Sequence, residues 1–164
     1  MKRFLQLTLV AVAIALFILP ANAYAGSSGA IRAFDDEEVV GLDYSNLTLQ
    51  RGEFYSVELN EANFSNSDLR GTVFNNVSMN NANFHGVNFT YGIAYLTGFT
   101  DADLSDAIMA ETMMLNSRFT NADITGTDFR EAIIDPLQVK QLCTYASGVN
   151  SETGVDTRRS LGCN

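Results

Sequence analysis

The chain has 164 residues, 46% of them hydrophobic, and its 19 Asp and Glu side chains outnumber 10 Lys and Arg. The resulting formal charge of −9 predicts repulsion from nucleic-acid backbones and from anionic membrane surfaces, so neither is an expected partner. The length suits a single domain.

The first 25 residues have the organisation of a secretory signal peptide. Lys2 and Arg3 precede an apolar run from Phe4 to Leu19, and small residues follow it. Because the run is shorter than the roughly 20 residues of a spanning helix, we predict cleavage after Ala23 or Ala25 and no membrane association afterwards. Cleavage leaves 8 basic against 19 acidic side chains, a formal charge of −11.

Residues 26–39 are predicted to form a leader and the beginning of an N-terminal cap. Gly and Ser at 26–29 suit a flexible leader. The segment Ile31–Asp43 carries four consecutive acidic residues beside apolar ones, including Phe34 and Val39. A stack of coils exposes strand edges and an apolar cross-section at each end, so we interpret this segment as a charged lid with an apolar inner surface.

From residue 40 to residue 134 the sequence repeats every five residues. Counting in fives from Phe54 to Ile134 gives 17 consecutive apolar positions, and a Gly, Val, Ala, Ser or Thr stands two residues before each. An α-helix would scatter these positions, since five residues turn it by about 140°. In extended backbone, residues two apart point to the same side. Each unit therefore buries one small and one large side chain, and its polar residues suit a turn.

A longer period of twenty residues sets the number of sides in a coil. Ala62, Ala82, Ala102 and Ala122 align, each followed by Asn or Asp and then by a large apolar residue. Four units therefore make one square coil, and stacked coils pair at about 4.8 Å per layer. Residues 40–134 give nearly five coils and a rod on the order of 23 Å long. The predicted fold class is an all-β solenoid, a quadrilateral β-helix.

One of the four sides is predicted to be apolar on its outer surface. Its outward position holds Glu53 and then only apolar residues, and the next outward position widens this stripe with Tyr55, Tyr95 and Leu115. In the stretch Gly92–Leu96 the inward position holds Ala94, while larger apolar side chains point outward. The outward apolar residues at twenty-residue spacing are Val73, Ile93, Met113 and Ile133.

An apolar stripe on an acidic rod indicates either a partner surface or a region covered by the protein's own ends. Near Ile133 we expect the C-terminal cap to cover it. Elsewhere we predict binding of a protein partner or self-association, through Val73, Ile93, Tyr95, Met113 and Leu115.

Residues 135–164 are predicted to form a helical C-terminal cap. Asp135 followed by Pro136 is typical of a helix start, with the carboxylate accepting from free amides. The residues expected to face the last coil are Leu137, Val139 and Leu142. A second short helix is predicted from Asp156 to Gly162. Cys143 and Cys163, an even number in an oxidising compartment, favour a disulfide that clamps the cap; a redox switch is less favoured because no CxxC motif is present.

The residues that could carry chemistry do not form a recognisable catalytic or metal-binding set. His85 is the single His and follows an inward residue, which places it at a solvated corner. No phosphate-binding GxxxxGK motif is present. The carboxylates of Asp101, Asp103 and Asp106 are best explained as a solvated outer surface. We therefore predict no enzyme activity, no catalytic residue, no metal and no cofactor.

The A(N/D)Lxx pattern resembles the pentapeptide repeat proteins, whose fold is a right-handed four-sided β-helix. With the signal peptide, the lead-in "RAFDDEEVVGLDYSNLTL" and the tail "LQVKQLCTYASGVNSETGVDTRRSLGC", the chain is most similar to the thylakoid-lumenal members of cyanobacteria and plants. The resemblance implies right-handed winding and residence in the thylakoid lumen or periplasm. It supplies no catalytic residues.

Two functions follow as hypotheses. The first is a non-catalytic interaction or scaffold module in the lumen or periplasm. The alternative is an acidic, DNA-mimicking inhibitor of a type II topoisomerase, because some pentapeptide repeat proteins that act on gyrase are acidic rods. The signal peptide and the short rod favour the first.

Overall fold

The computed structural model describes residues 40–164. The predicted signal peptide at 1–25, and the predicted leader and cap residues at 26–39, lie outside the described residues.

The described chain winds through stacked coils that pair in parallel with their neighbours. One side carries a five-stranded sheet in sequence order. Its strands are β1 (Glu53–Tyr55), β2 (Val73–Asn75), β3 (Ile93–Tyr95), β4 (Met113–Met114) and β5 (Ile133–Ile134). Paired residues in this sheet are twenty apart, as in the pairing of Val73 with Ile93. The predicted twenty-residue coil is therefore confirmed.

The other three sides pair through single parallel bridges with the same spacing. Examples are Glu58 with Ser78, Asn63 with Asn83, and Asp68 with Asn88. We number the sides in chain order: side 1 carries β1 to β5, side 2 the Glu58 ladder, side 3 the Asn63 ladder and side 4 the Asp68 ladder. Four ladders per coil produce the square section.

The corners require a left-handed backbone at every fifth residue. From Gly41 to Glu131 each corner position has positive φ, between 51° and 75°. Asn, Asp and Gly, which tolerate this region, occupy most of these corners. Many are closed by a turn hydrogen bond, such as Ala62 N to Leu59 O at 3.2 Å. In this turn the positive φ falls on the third of the four residues, Glu61, which is the geometry of a type II turn.

The inward positions form a continuous apolar core. The rings of Phe54 and Phe74 stack with centroids 4.9 Å apart, and Phe74 meets Phe84 edge to face at 6.2 Å. Hydroxyls in the small inward positions satisfy backbone carbonyls. Ser117 Oγ, for example, donates to Ala94 O at 2.6 Å. The small position therefore stabilises the corner as well as leaving room for the rings.

The C-terminal residues form a cap of two short helices, α1 (Pro136–Leu142) and α2 (Thr157–Ser160). Leu142 is buried and Val139 packs against the core. The buried Asn150 amide donates to three carbonyls of the coils, including Gly126 O at 2.9 Å. Cys143 and Cys163 form a disulfide between Cα atoms 5.6 Å apart. Neither helix within residues 40–164 has the length and apolarity needed to cross a membrane.

Two details of the cap differ from the sequence prediction. Leu137 does not face the last coil, because its side chain is 76% exposed. Asp135 makes no side-chain bond to the amides of α1; its Oδ2 accepts from the backbone N of Asn116 at 2.7 Å. The carboxylate therefore fastens the start of α1 to the preceding coil.

Candidate interaction surface

Side 1 brings the five predicted partner-binding residues onto one surface. Val73, Ile93 and Met113 are consecutive neighbours in the parallel sheet, so their side chains form a column with steps of about 4.8 Å. Tyr95 and Leu115 follow one inward residue later and lie beside this column. Met113 is 41% exposed and Tyr95 38%, whereas the other three are half-buried. The surface is therefore apolar and partly open to solvent.

The apolar column stays exposed at its C-terminal end, where the cap was predicted to cover it. Ile133 pairs with Met113 and is 52% exposed, so the C-terminal cap does not bury it as predicted. Leu137, at the start of α1, is also exposed.

Tyr91 and Leu96 border side 1 at its two edges. Leu96 was predicted to point outward, but neither residue was among the predicted partner-binding residues. Both occupy left-handed corner positions and both are exposed, Tyr91 more than Leu96. A corner position points away from the core, since the inward pair lies elsewhere in the unit. Apolar residues at corner positions were the signal that could have identified them.

The stretch Gly92–Leu96 forms a regular side of its coil. Gly92 and Ala94 are buried, while Tyr95 and Leu96 are exposed, as the register predicts. The ring of Phe89, which comes from side 4, fills the space beside Gly92: a Cβ atom added at Gly92 would overlap that ring. The missing side chain at Gly92 is therefore compensated by the Phe89 ring.

One edge of side 1 is acidic towards its C-terminal end, where Glu111 and Glu131 follow Arg51, Gly71 and Tyr91 in the corner column. Tyr91, Glu111 and Glu131 share the corner column between sides 4 and 1. A hydrogen bond to Glu111, with its charge, raises the pKa of the Tyr91 phenol. An acidic edge beside an apolar surface favours partners with basic groups beside an apolar patch.

The polar residues do not assemble a reaction centre in the described part of the chain. His85 is exposed on side 3, and its Nδ1 lies 2.8 Å from Ser105 Oγ, which donates to Asp103. Across residues 40–164, no group of three His, Cys, Asp or Glu side chains is placed to hold a metal ion.

The five-residue repeat and the stacked four-sided coils identify the protein as a solenoid. A family model for pentapeptide repeats matches residues 54–90 and 99–134 in eight copies. A solved pentapeptide repeat protein from the Arabidopsis thaliana thylakoid lumen is 33% identical, with a TM-score of 0.74 over 76% of this chain and 86% of that one. The chain belongs to the pentapeptide repeat family.

Two further likenesses are narrower. A 42-residue segment is 62% identical to the chloroplastic thylakoid lumenal protein TL20.3 of Arabidopsis thaliana. The match covers 26% of this chain, and the chain spans 15% of the length of that relative. QnrB1, a plasmid-mediated fluoroquinolone resistance protein, is 21% identical with a TM-score of 0.53 over 58% of this chain and 52% of its own. At this identity QnrB1 shares the fold.

Proposed function

We propose that this protein is a non-catalytic interaction or scaffold module that binds a protein partner through side 1, in the thylakoid lumen or periplasm. The observation that carries the proposal is the unbroken apolar column from Val73 to Ile133 on an otherwise acidic rod. Thylakoid-lumenal relatives and the predicted signal peptide support the compartment. Right-handed winding is inferred from the resemblance and from the strong preference of parallel crossovers for that hand.

The dimensions of side 1 favour a different protein over a second copy. Five strands spaced at about 4.8 Å and a side about 10 Å wide give a flat footprint of about 240 Å². A standard interface buries about 800 Å² on each partner, so two flat sides pressed together would form a small contact. A partner that also covers Tyr91 and Leu96 reaches around the two edges of side 1. Its complementary surface would be apolar and bordered by Lys or Arg.

The experiment compares partner capture by the mature protein with capture by the double variant Ile93→Asp plus Met113→Asp. Both side chains point outward, so circular dichroism and thermal unfolding should change little. The two charges should abolish capture of the wild-type partner from lumenal or periplasmic extract, because they would be desolvated in the complex.

A matched control carries the same two charges on side 2, as Thr100→Asp plus Thr120→Asp. Retained capture by this control, with loss in the side 1 variant, supports the proposal. Equal loss in both variants would show that added negative charge is responsible. Unfolding of the side 1 variant would show that Ile93 and Met113 are part of the core. Concentration-dependent dimers of the wild-type protein in analytical ultracentrifugation would show that side 1 binds a second copy of the chain and not a different protein.

The topoisomerase hypothesis receives no support beyond the shared fold. The identity with QnrB1 is too low to carry an activity across. Inhibition of DNA supercoiling by purified mature protein would revive it, and we expect none.

A further inference from the structure

A polar groove of about 290 Å³ lies at the corner between sides 1 and 2. The groove shares Leu96 with the edge of side 1 that the partner is proposed to cover, but its two charged residues, Glu58 and Arg118, lie outside the apolar column. It crosses four coils along the outward ladder Glu58, Ser78, Gly98 and Arg118, in which each residue bridges the next. Gly98 contributes no side chain, which leaves space between Ser78 and Arg118. Leu96 forms an apolar wall.

The two ends of the groove carry opposite charges. Three steps of about 4.8 Å separate Glu58 from Arg118, or about 14 Å along the rod. Within residues 40–164, the two salt bridges are Asp68–Arg70 and Asp128–Arg130, so neither end of the groove is neutralised by an ion pair. Glu58 receives one long hydrogen bond, from Asn60 Nδ2 at 3.5 Å.

The middle of the groove offers hydrogen-bonding groups that are fixed by their neighbours. Ser78 Oγ donates to Asn60 Oδ1 at 2.8 Å and accepts from Asn80 Nδ2 at 2.9 Å. Asn76 Nδ2 donates to Ser56 Oγ at 3.1 Å. Rigid amides and hydroxyls between two separated charges suit a polar ligand that carries an acid at one end and a base at the other.

We propose that this groove binds a short extended peptide with free termini, its carboxylate at Arg118 and its ammonium group at Glu58. An extended chain spans about 3.3–3.6 Å per residue, so about four residues cover the distance between the charges. The volume is near the lower limit of about 300 Å³ for small-molecule sites, which favours small side chains. The residue above Gly98 would lie closest to the backbone of the rod.

The test is a titration of tetra-alanine with free termini into ¹⁵N-labelled mature protein. We expect saturable shifts of the backbone amides of Ser78 and Gly98. Arg118→Gln should weaken binding about tenfold or more, because a charge-assisted hydrogen bond is lost. Gly98→Ala should lower the affinity severalfold, because the added methyl group occupies the space that Gly98 leaves at the bottom of the groove. The added Cβ meets Asn80 Oδ1 at an ordinary 3.7 Å, so this variant should fold normally.

Arg159→Gln is the matched control, because Arg159 is an exposed arginine on α2 outside the groove. The Arg159→Gln variant should bind the peptide with the affinity of the wild type. C-terminal amidation of the peptide should reproduce the loss seen with Arg118→Gln. Absence of saturable shifts, or equal weakening by Arg159→Gln, would overturn the proposal. Undiminished binding of a peptide blocked at both ends would also overturn it, since the groove would then recognise an internal chain segment.

Discussion

At the scale of single residues, Gly92 shows how the repeat tolerates a small residue in the core. Its backbone does not have positive φ, so Ala is sterically allowed by the chain itself. The obstacle is the Phe89 ring, which occupies the position of the missing Cβ. Gly92→Ala should therefore destabilise the fold by about 1–3 kcal/mol through overpacking, measured by urea unfolding followed by circular dichroism.

Two comparisons test whether the Phe89 ring is the cause. Gly98→Ala adds the same methyl group at a position with space for it and should change the free energy of unfolding by less than about 0.5 kcal/mol. In a Phe89→Leu background, Gly92→Ala should cost less than it does alone, because residues in contact are energetically coupled. Equal costs in both backgrounds would show that backbone strain, and not the ring, opposes Ala.

At the scale of elements, α1 shows which helical positions hold the cap. Val139 and Leu142 are three residues apart and share a face, whereas Leu137 lies two residues from Val139, about 200° around the helix. Leu142→Ala should cost about 2–5 kcal/mol because it leaves a cavity against the last coil. Leu137→Ala should leave thermal stability nearly unchanged. A large loss from the Leu137 change would mean that its side chain is covered in solution.

The sequence predicted elements well where a position repeats and poorly where it occurs once. The inward pair recurs seventeen times, so its register could not shift without exposing every large side chain. The apolar residues of side 1 followed from that register. The orientation of α1 could not be read from a repeat, because the helix occurs once. Leu137 was predicted to face the last coil because it is apolar, without regard to its position around the helix. The Phe89 ring fills the space beside Gly92 from another side of the coil, and a linear pattern does not reveal such a contact.

At the scale of the whole molecule, each coil contacts only the coils beside it, so stability is distributed along the rod. Side 4 contributes the same ion pair at two levels, Asp68 with Arg70 and Asp128 with Arg130, each at 2.7 Å. Hydrogen bonds from Arg70 lower the pKa of Asp68 from 3.8 to about 2. Burial acts to raise the pKa of Asp128, but the hydrogen bonds from Arg130 outweigh it and the pKa is lowered.

These shifts predict loss of stability in acid. A carboxyl group whose pKa is lower in the folded state binds its proton more readily when unfolded, so protonation favours unfolding. The contribution of Asp68 is complete above its unfolded pKa of 3.8 and disappears as the pH falls towards about 2. The free energy of unfolding, from urea titrations at a series of pH values, should therefore decline steeply across this window.

The double variant Asp68→Asn plus Asp128→Asn isolates that contribution. Asn is compatible with this position, because Asn88 occupies it in the coil after Asp68 and its Oδ1 accepts from Thr90 N at 3.2 Å, as Asp68 Oδ1 does from Arg70 N. The variant should be less stable than wild type near neutral pH, since both charge pairs are lost. Its stability should fall less steeply in acid, so that the two curves converge below the window. Parallel curves would assign the acid sensitivity to other carboxylates of this strongly acidic rod.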